Sequence, residues 1–238
     1  MIEGKGMSGW GAMLAGAAGG ALATVALGIV AVQGGWADRL VHKSLVENPT
    51  VLVETADALR DTQYAPVLAA NRAALETPFG SSWQGARDGD VTLVEFYDYA
   101  CGYCKASLPV IARLVKEDPK LRVVYREFPI LGPDSEAAAR MALGASKSGR
   151  FMAFHDALYA AGRPSQATLS RAAAAAGVPA AVPSSPELDA ELRKNFQLAQ
   201  QLGATGTPLF IVGDKVMNGA VGYDVLKKAI ADARANKG

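Results

Sequence analysis

Hydrophobic and polar positions divide the chain into a few kinds of stretch. Residues 91–97, VTLVEFY, form an apolar run of β-branched and aromatic residues broken only by Thr92 and Glu95, which predicts a buried strand. Residues 106–116 then repeat their apolar positions at helical spacing, and 121–128 alternates as a second strand that Pro129 ends. Four helical patterns follow with no strand between them, at 135–148, 151–161, 165–176 and 186–202. Gly149, Gly162, Gly177 and Gly203 stand just past their ends. In the last of these Leu188, Leu192, Phe196, Ala199 and Leu202 make one apolar stripe, with Ser185 as cap and Pro186 at the first position. Residues 209–212 and 215–217 read as a hairpin around Gly213 and Asp214, and 223–233 as a closing helix. The order predicts an α/β domain over 86–238 that carries a helical insertion at about 134–203.

The first third of the chain has a different pattern. Residues 7–37 contain no charge, and 10–32 are long enough to cross a hydrocarbon layer of about 30 Å as a helix. Trp10 and Trp36 bracket the stretch as interfacial aromatics would, so 1–37 reads as an uncleaved signal anchor, with cleavage after Ala37 as the alternative. Gly16, Gly20, Thr24 and Gly28 recur at four-residue spacing, a pattern that so Gly- and Ala-rich a segment also produces by chance. From 38 to 85 the pattern turns polar and helical. Asn48 and Pro49 suit the N-cap and first position of a helix through Arg60, and Leu45, Leu52 and Leu59 recur every seven residues. After an expected break at Pro66, Val67, Leu68, Asn71, Ala74 and Leu75 give a second, partly apolar face. These helices have no core of their own; they either pack on the α/β domain or join copies of the chain through 43–75. PFGSSWQGARDGD, 78–90, then reads as a flexible linker.

Composition adds exclusions. A net charge of +1 over 238 residues offers no electrostatic case for a nucleic-acid partner. Cys101 and Cys104 are the only cysteines, and they fall on the turn from the first strand into the following helix. At a helix N-terminus the unpaired N–H groups and the dipole favour a thiolate, so Cys101 is the candidate nucleophile. A closed zinc site needs four ligands, and the chain adds only the distant His42 and His155. A purely structural disulfide is disfavoured because the loop it would close is very short. His155, within FMAFHDALY, is read as a surface or packing residue, Asp98 as a turn residue and Lys105 as solvated.

FYDYACGYCK resembles the active-site run of the DsbA-family thioredoxin-fold oxidoreductases, most of all their ScsC (suppressor of copper sensitivity) branch. VVYREFPILGPDSEAAARMAL and GATGTPLFIVGD extend the resemblance from Val91 to the C-terminus in the family's motif order. Ala100 before the first cysteine, where thioredoxin has Trp, sets the chain apart from thioredoxin itself. The resemblance implies a DsbA-like thioredoxin fold with an inserted helical subdomain, preceded by an oligomerising stalk. It implies that Cys101 attacks and Cys104 resolves, that Glu95 is a buried acid able to pass a proton to the resolving thiol, and that Thr207 and a cis Pro208 hold an extended client beside Cys101. Gly102 and Tyr103 would shape that site. The expected activity is thiol–disulfide exchange, as oxidase or isomerase, on exported cysteine-containing proteins. It would take place in the bacterial periplasm, anchored in the inner membrane by 7–37, with a membrane redox partner and no cofactor. Two other classes stay compatible with the residues: a copper-handling dithiol, since thiolates favour Cu(I), and a non-catalytic periplasmic chaperone.

Overall fold

The computed structural model describes residues 35–236. The expected anchor and its small-residue stripe lie outside them, apart from 35–37; among the described residues no helix is long and apolar enough to cross a membrane. The chain divides into two compact units between Ala58 and Leu59.

In the first unit, helix α1 (Trp36–Glu47) buries none of its residues. Asn48 closes this helix instead of opening the next one: its backbone N–H and its side-chain amide both donate to Ser44 O, at 3.0 and 3.2 Å. Helix α2 (Thr50–Glu76) begins two residues later. Trp36, Leu40, Val41, Val46, Leu52 and Val53 are all exposed.

The second unit starts inside α2, which runs through Pro66 without the expected break. A proline in a helix interior costs about 3 kcal/mol, and burying a leucine stabilises by roughly 1.5–3 kcal/mol. Leu68 and Leu75 are both fully buried, against Val94, Phe96, Val124 and Leu202, so the packing outweighs the proline. Tyr64 lies where a Cβ on Gly203 would sit, and that glycine also has φ +65°, so the contact requires glycine twice over. At the helix C-terminus the fully buried Arg126 donates to the carbonyls of Ala74, Leu75 and Thr77 and pairs with Glu191 at 2.7 Å. A cation thus meets carbonyls that the helix itself leaves unpaired.

The expected linker is likewise built into the fold. Ser81 and Ser82 bond to Ser146, and Trp83–Gly85 forms strand β1, antiparallel to β3 (Leu121–Glu127). The domain therefore begins well before Ala86. Strand β2 (Val91–Tyr97) is central, parallel to β3 on one side and antiparallel to β4 (Leu209–Val212) on the other, with β5 (Lys215–Asn218) outermost; the order is β1-β3-β2-β4-β5. Helix α3 (Gly102–Glu117) makes the crossover from β2 to β3, and α8 (Tyr223–Ala235) ends the chain. Between β3 and β4 stand α4 (Pro133–Lys147), α5 (Phe151–Ala161), α6 (Gln166–Ala176) and α7 (Pro186–Gln201), within two residues of the expected bounds. One sheet face is covered by α3, α4, α5, α6 and α8, the other by α2 and α7. With both faces covered, every residue of β2 is buried.

Leu75→Ala is expected to cost about 2–5 kcal/mol in urea unfolding, whereas Leu59→Ala, at an exposed position of the same helix, stays within about 0.5 kcal/mol. Equal costs would mean that the end of α2 does not belong to the core.

Candidate functional site

The site forms where β2 passes into α3. Asp98 follows the strand, and its buried carboxylate accepts four hydrogen bonds: Ala100 N at 2.7 Å and Ser135 Oγ at 2.7 Å on Oδ1, Ile130 N at 2.8 Å and Leu131 N at 2.9 Å on Oδ2. Its backbone carbonyl accepts from Cys101 N at 3.0 Å. The turn residue expected here is thus the clamp that shapes the turn, and it sets Cys101 as the N-cap of α3.

Cys104 lies one helical turn further on, and both cysteines are free thiols. They differ in access: Cys101 is 8% exposed and Cys104 0%. Strand β4 pairs with β2 so that Leu209 faces Phe96, which brings the residues just before β4 to the end of β2. Those residues are Thr207 and Pro208, joined by a cis peptide, and Cys101 Sγ donates to Thr207 O at 3.3 Å. Gly102 is exposed and Tyr103 is 69% exposed, whereas Pro208 is buried and Thr207 half-buried. Four of the five residues that the sequence reading assigned to the site beside the cysteines, Gly102, Tyr103, Thr207 and Pro208, therefore stand around the sulfur pair.

Glu95, the fifth, is fully buried on the central strand. Burial, and then the charge of Cys101, hold its carboxyl well above the usual range. Burial, and then Glu95, push the Cys104 thiol far up as well. A Cys104 thiolate is therefore a poor end state and a Cys104 thiol a good one.

The sequence reading gave no chemical role to the polar groups beside this site. His155 is buried among the rings of Tyr97, Tyr99, Tyr125, Phe151 and Tyr159, and burial alone drives its pKa down to about 3. Tyr97 Oη donates to Glu127, Tyr97 Oη lies 3.1 Å from Tyr99 Oη, and Tyr99 Oη lies 3.2 Å from His155 Nδ1. Glu127 could have been found from the alternation of β3, which puts an acid on the same face as Val123 and Tyr125.

Comparison with known proteins fits this geometry. A family model described as a DsbA-like thioredoxin domain matches residues 92–231. A periplasmic thioredoxin-like protein from Salmonella enterica serovar Typhimurium has a similar structure. It is 32% identical, with TM-score 0.64, over 69% of this chain and 95% of that one. The catalytic domain of Proteus mirabilis ScsC is 28% identical, with TM-score 0.66, over 72% of this chain and 98% of that one. A longer ScsC structure from the same organism, in a transitional conformation, is 29% identical, with TM-score 0.66, over 87% of this chain and 99% of that one. A curated relative, Na(+)/H(+) antiporter NhaA 3 of Salinispora tropica, is 30% identical over 64% of this chain and 24% of its own length. The chain thus spans about a quarter of the length of the curated relatives it matches.

With Cys104 enclosed and held as a thiol, iodoacetamide at neutral pH is expected to modify Cys101 alone in the folded, reduced protein. Mass spectrometry of the cysteine-bearing peptides reads the outcome, and label on Cys104 at a comparable rate would contradict the burial.

Proposed function

Because the chain belongs to the DsbA-like thioredoxin domain family, we propose that it exchanges disulfides with exported, cysteine-containing proteins through Cys101 and Cys104. The observation that carries this reading is the seat of Cys101: an N-cap sulfur at the protein edge, hydrogen-bonded to Thr207 O, with a buried thiol one turn behind it. In the oxidised protein a client thiolate attacks Cys101 Sγ, the Cys101–Cys104 bond breaks, and Cys104 leaves with the electron pair and takes a proton. Glu95, buried and protonated, is the donor for that proton. A second client thiolate then attacks the client sulfur of the mixed disulfide, which frees Cys101 and leaves a disulfide in the client. Thr207 and Pro208 offer a backbone edge to an extended client, as a strand added to a sheet, and Gly102 and Tyr103 complete the surface beside the sulfur. The likeness to a protein described as periplasmic supports a bacterial periplasmic location, and residues 7–37 would anchor the chain in the inner membrane, where a membrane redox partner resets the dithiol.

Residues 43–75 are read as joining copies of the chain, through the part of that segment before Leu59. The support is a unit whose first helix buries nothing and whose Val46, Val51, Leu52 and Val53 are exposed. The greater coverage by the longer ScsC structure than by its catalytic domain agrees with this. Several dithiols on one assembly raise the local concentration of thiolate around a single client, which favours shuffling wrong disulfides over inserting new ones.

Cys104→Ala is expected to accumulate mixed disulfides with clients on non-reducing gels and Cys101→Ala none; equal trapping by both would remove the division of roles. For assembly, replacing Leu45 and Leu52 together with Lys should lower the mass seen by light scattering and slow reactivation of scrambled ribonuclease, with oxidation of reduced ribonuclease unchanged. A mass and an isomerase rate equal to those of the unaltered protein would end that part of the proposal.

A further inference from the structure

The proposed exchange needs a proton at a place closed to water. Cys104 and Glu95 are both fully buried, so each turnover that moves a proton from one to the other must be followed by exchange with solvent. Glu127, Tyr97, Tyr99 and His155, which the exchange itself does not use, bear on that need.

The sheet register places them. Glu95 pairs with Tyr125 and Tyr97 with Glu127 across the parallel β2 and β3. Side chains two apart on a strand share a face, so Glu95, Tyr97, Tyr125 and Glu127 form one two-by-two patch, with the carboxyls on its diagonal. From Glu127 the hydrogen bonds continue in a single line to Tyr97, Tyr99 and His155 Nδ1. His155 Nε2 has no hydrogen-bond partner among the described residues. His155 also lines a cleft of about 290 Å³ with Gln84, Tyr125, Met152 and Asp156, ample for several waters.

We propose that Glu127, Tyr97, Tyr99 and His155 conduct protons between the cleft at His155 and the buried pair Glu95 and Glu127, and so supply the proton that Cys104 takes up when the disulfide opens.

The hydrogen-bond directions balance. Burial holds the Glu127 carboxyl well above the usual range, so it rests as the acid; once it has given its proton to Glu95, Tyr97 donates to it, Tyr99 donates to Tyr97, and His155 Nδ1–H donates to Tyr99, leaving a lone pair on Nε2. Nε2 is closed off in the resting structure, so the path works when the cleft opens to it: a proton that water then delivers to Nε2 lets each of these bonds pass its hydrogen one place along. Glu127 then becomes the acid, every bond in the line is reversed, and Nε2 carries the hydrogen. Glu127 passes its proton across the diagonal to a Glu95 that has just protonated Cys104.

The surroundings fit a path for protons rather than a store of charge. Tyr97, Tyr99, Glu95 and Asp98 face the line from β2 and the turn after it, Tyr125 and Glu127 from β3, Gln84 from β1, and Asp156 and Tyr159 from α5 itself. Burial, and then the charges of Asp98 and Glu95, hold the Glu127 carboxyl well above the usual range against the lowering effect of the Tyr97 hydrogen bond, so ionisation of Glu95 favours a proton on Glu127. The four residues act through Glu95 and are positioning residues for the proton.

This inference rests on the exchange reading, and the test separates the two. Oxidised and reduced full-length protein are compared by infrared difference spectroscopy, and reaction of the oxidised form with a small dithiol is followed against pH in H₂O and D₂O. The unaltered protein should show carboxylic-acid C=O changes from two residues, one lost in Glu95→Gln and the other in Glu127→Gln. Tyr99→Phe keeps the ring and removes the hydroxyl. It should slow the reaction about tenfold with a larger solvent isotope effect, less than the roughly 10²–10⁴-fold that a direct general acid supplies, and leave the glutathione redox equilibrium in place. A dithiol that never equilibrates with glutathione overturns the exchange reading and this inference with it. A dithiol that equilibrates normally, while Tyr99→Phe keeps the unaltered pH profile and isotope effect, overturns the proton path alone. Should Glu127→Gln fail to fold, Tyr99→Phe decides.

Discussion

The site depends on the carboxylate of Asp98. An isolated charge in a protein interior is expensive, and four hydrogen bonds from three different segments offset that expense here. Each bond also fixes something. The bond to Ala100 N shapes the turn that presents Cys101, those to Ile130 and Leu131 fix the loop after β3, and that to Ser135 ties the first turn of α4 to the same point. Hydrogen bonds to a charged group contribute about 1.5–3 kcal/mol each, so the sulfur is held by an anchor stronger than its own contacts. The helical insertion is thereby joined to the dithiol through one side chain.

The asymmetry between the two sulfurs is the next constraint. Cys101 reaches the protein edge beside Thr207, and Cys104 is enclosed under α3 beside a buried acid. Low dielectric disfavours charge on Cys104 and on Glu95 alike, so between them they hold protons and not negative charge. Opening the disulfide from the Cys101 side therefore ends with a neutral thiol inside. The aromatic groups on the same sheet face, Tyr97, Tyr99, Tyr125 and Tyr159, keep water out while carrying hydroxyls that can pair with one another.

Arg126 plays the corresponding part on the opposite face of the sheet. Its guanidinium closes the C-terminal end of α2, and the Glu191 ion pair ties that end to α7. Removing one partner of such a buried pair leaves an uncompensated charge, a cost of roughly 3–5 kcal/mol. The end of α2 is accordingly part of the thioredoxin-like unit, and the segment before Leu59 is the part with its apolar side chains in solvent.

What the sequence by itself determined is what depends on near neighbours. Strand β2 was legible because a strand covered on both faces needs apolar side chains at consecutive positions. The helices of the insertion were legible from 3.6-residue periodicity and from caps such as Ser185, Gly162 and Gly177. The dithiol was legible because Cys101 and Cys104 lie one turn apart at a strand-to-helix junction. Tertiary structure alone decided the rest. Three residues, Trp83–Gly85, are too few to carry a period, and they became β1 only because β3 lay open beside them. Pro66 ended no helix because Leu68 and Leu75 had a core to enter. The approach of Thr207 to Cys101 spans a separation of 106 residues and needed the β2–β4 register. His155 carries no local mark of its line of hydrogen bonds, since its burial is conferred by elements distant in sequence. Periodicity and capping are written within a few residues, whereas desolvation and its effect on acid, thiol and imidazole exist only once the remote segments have closed around them.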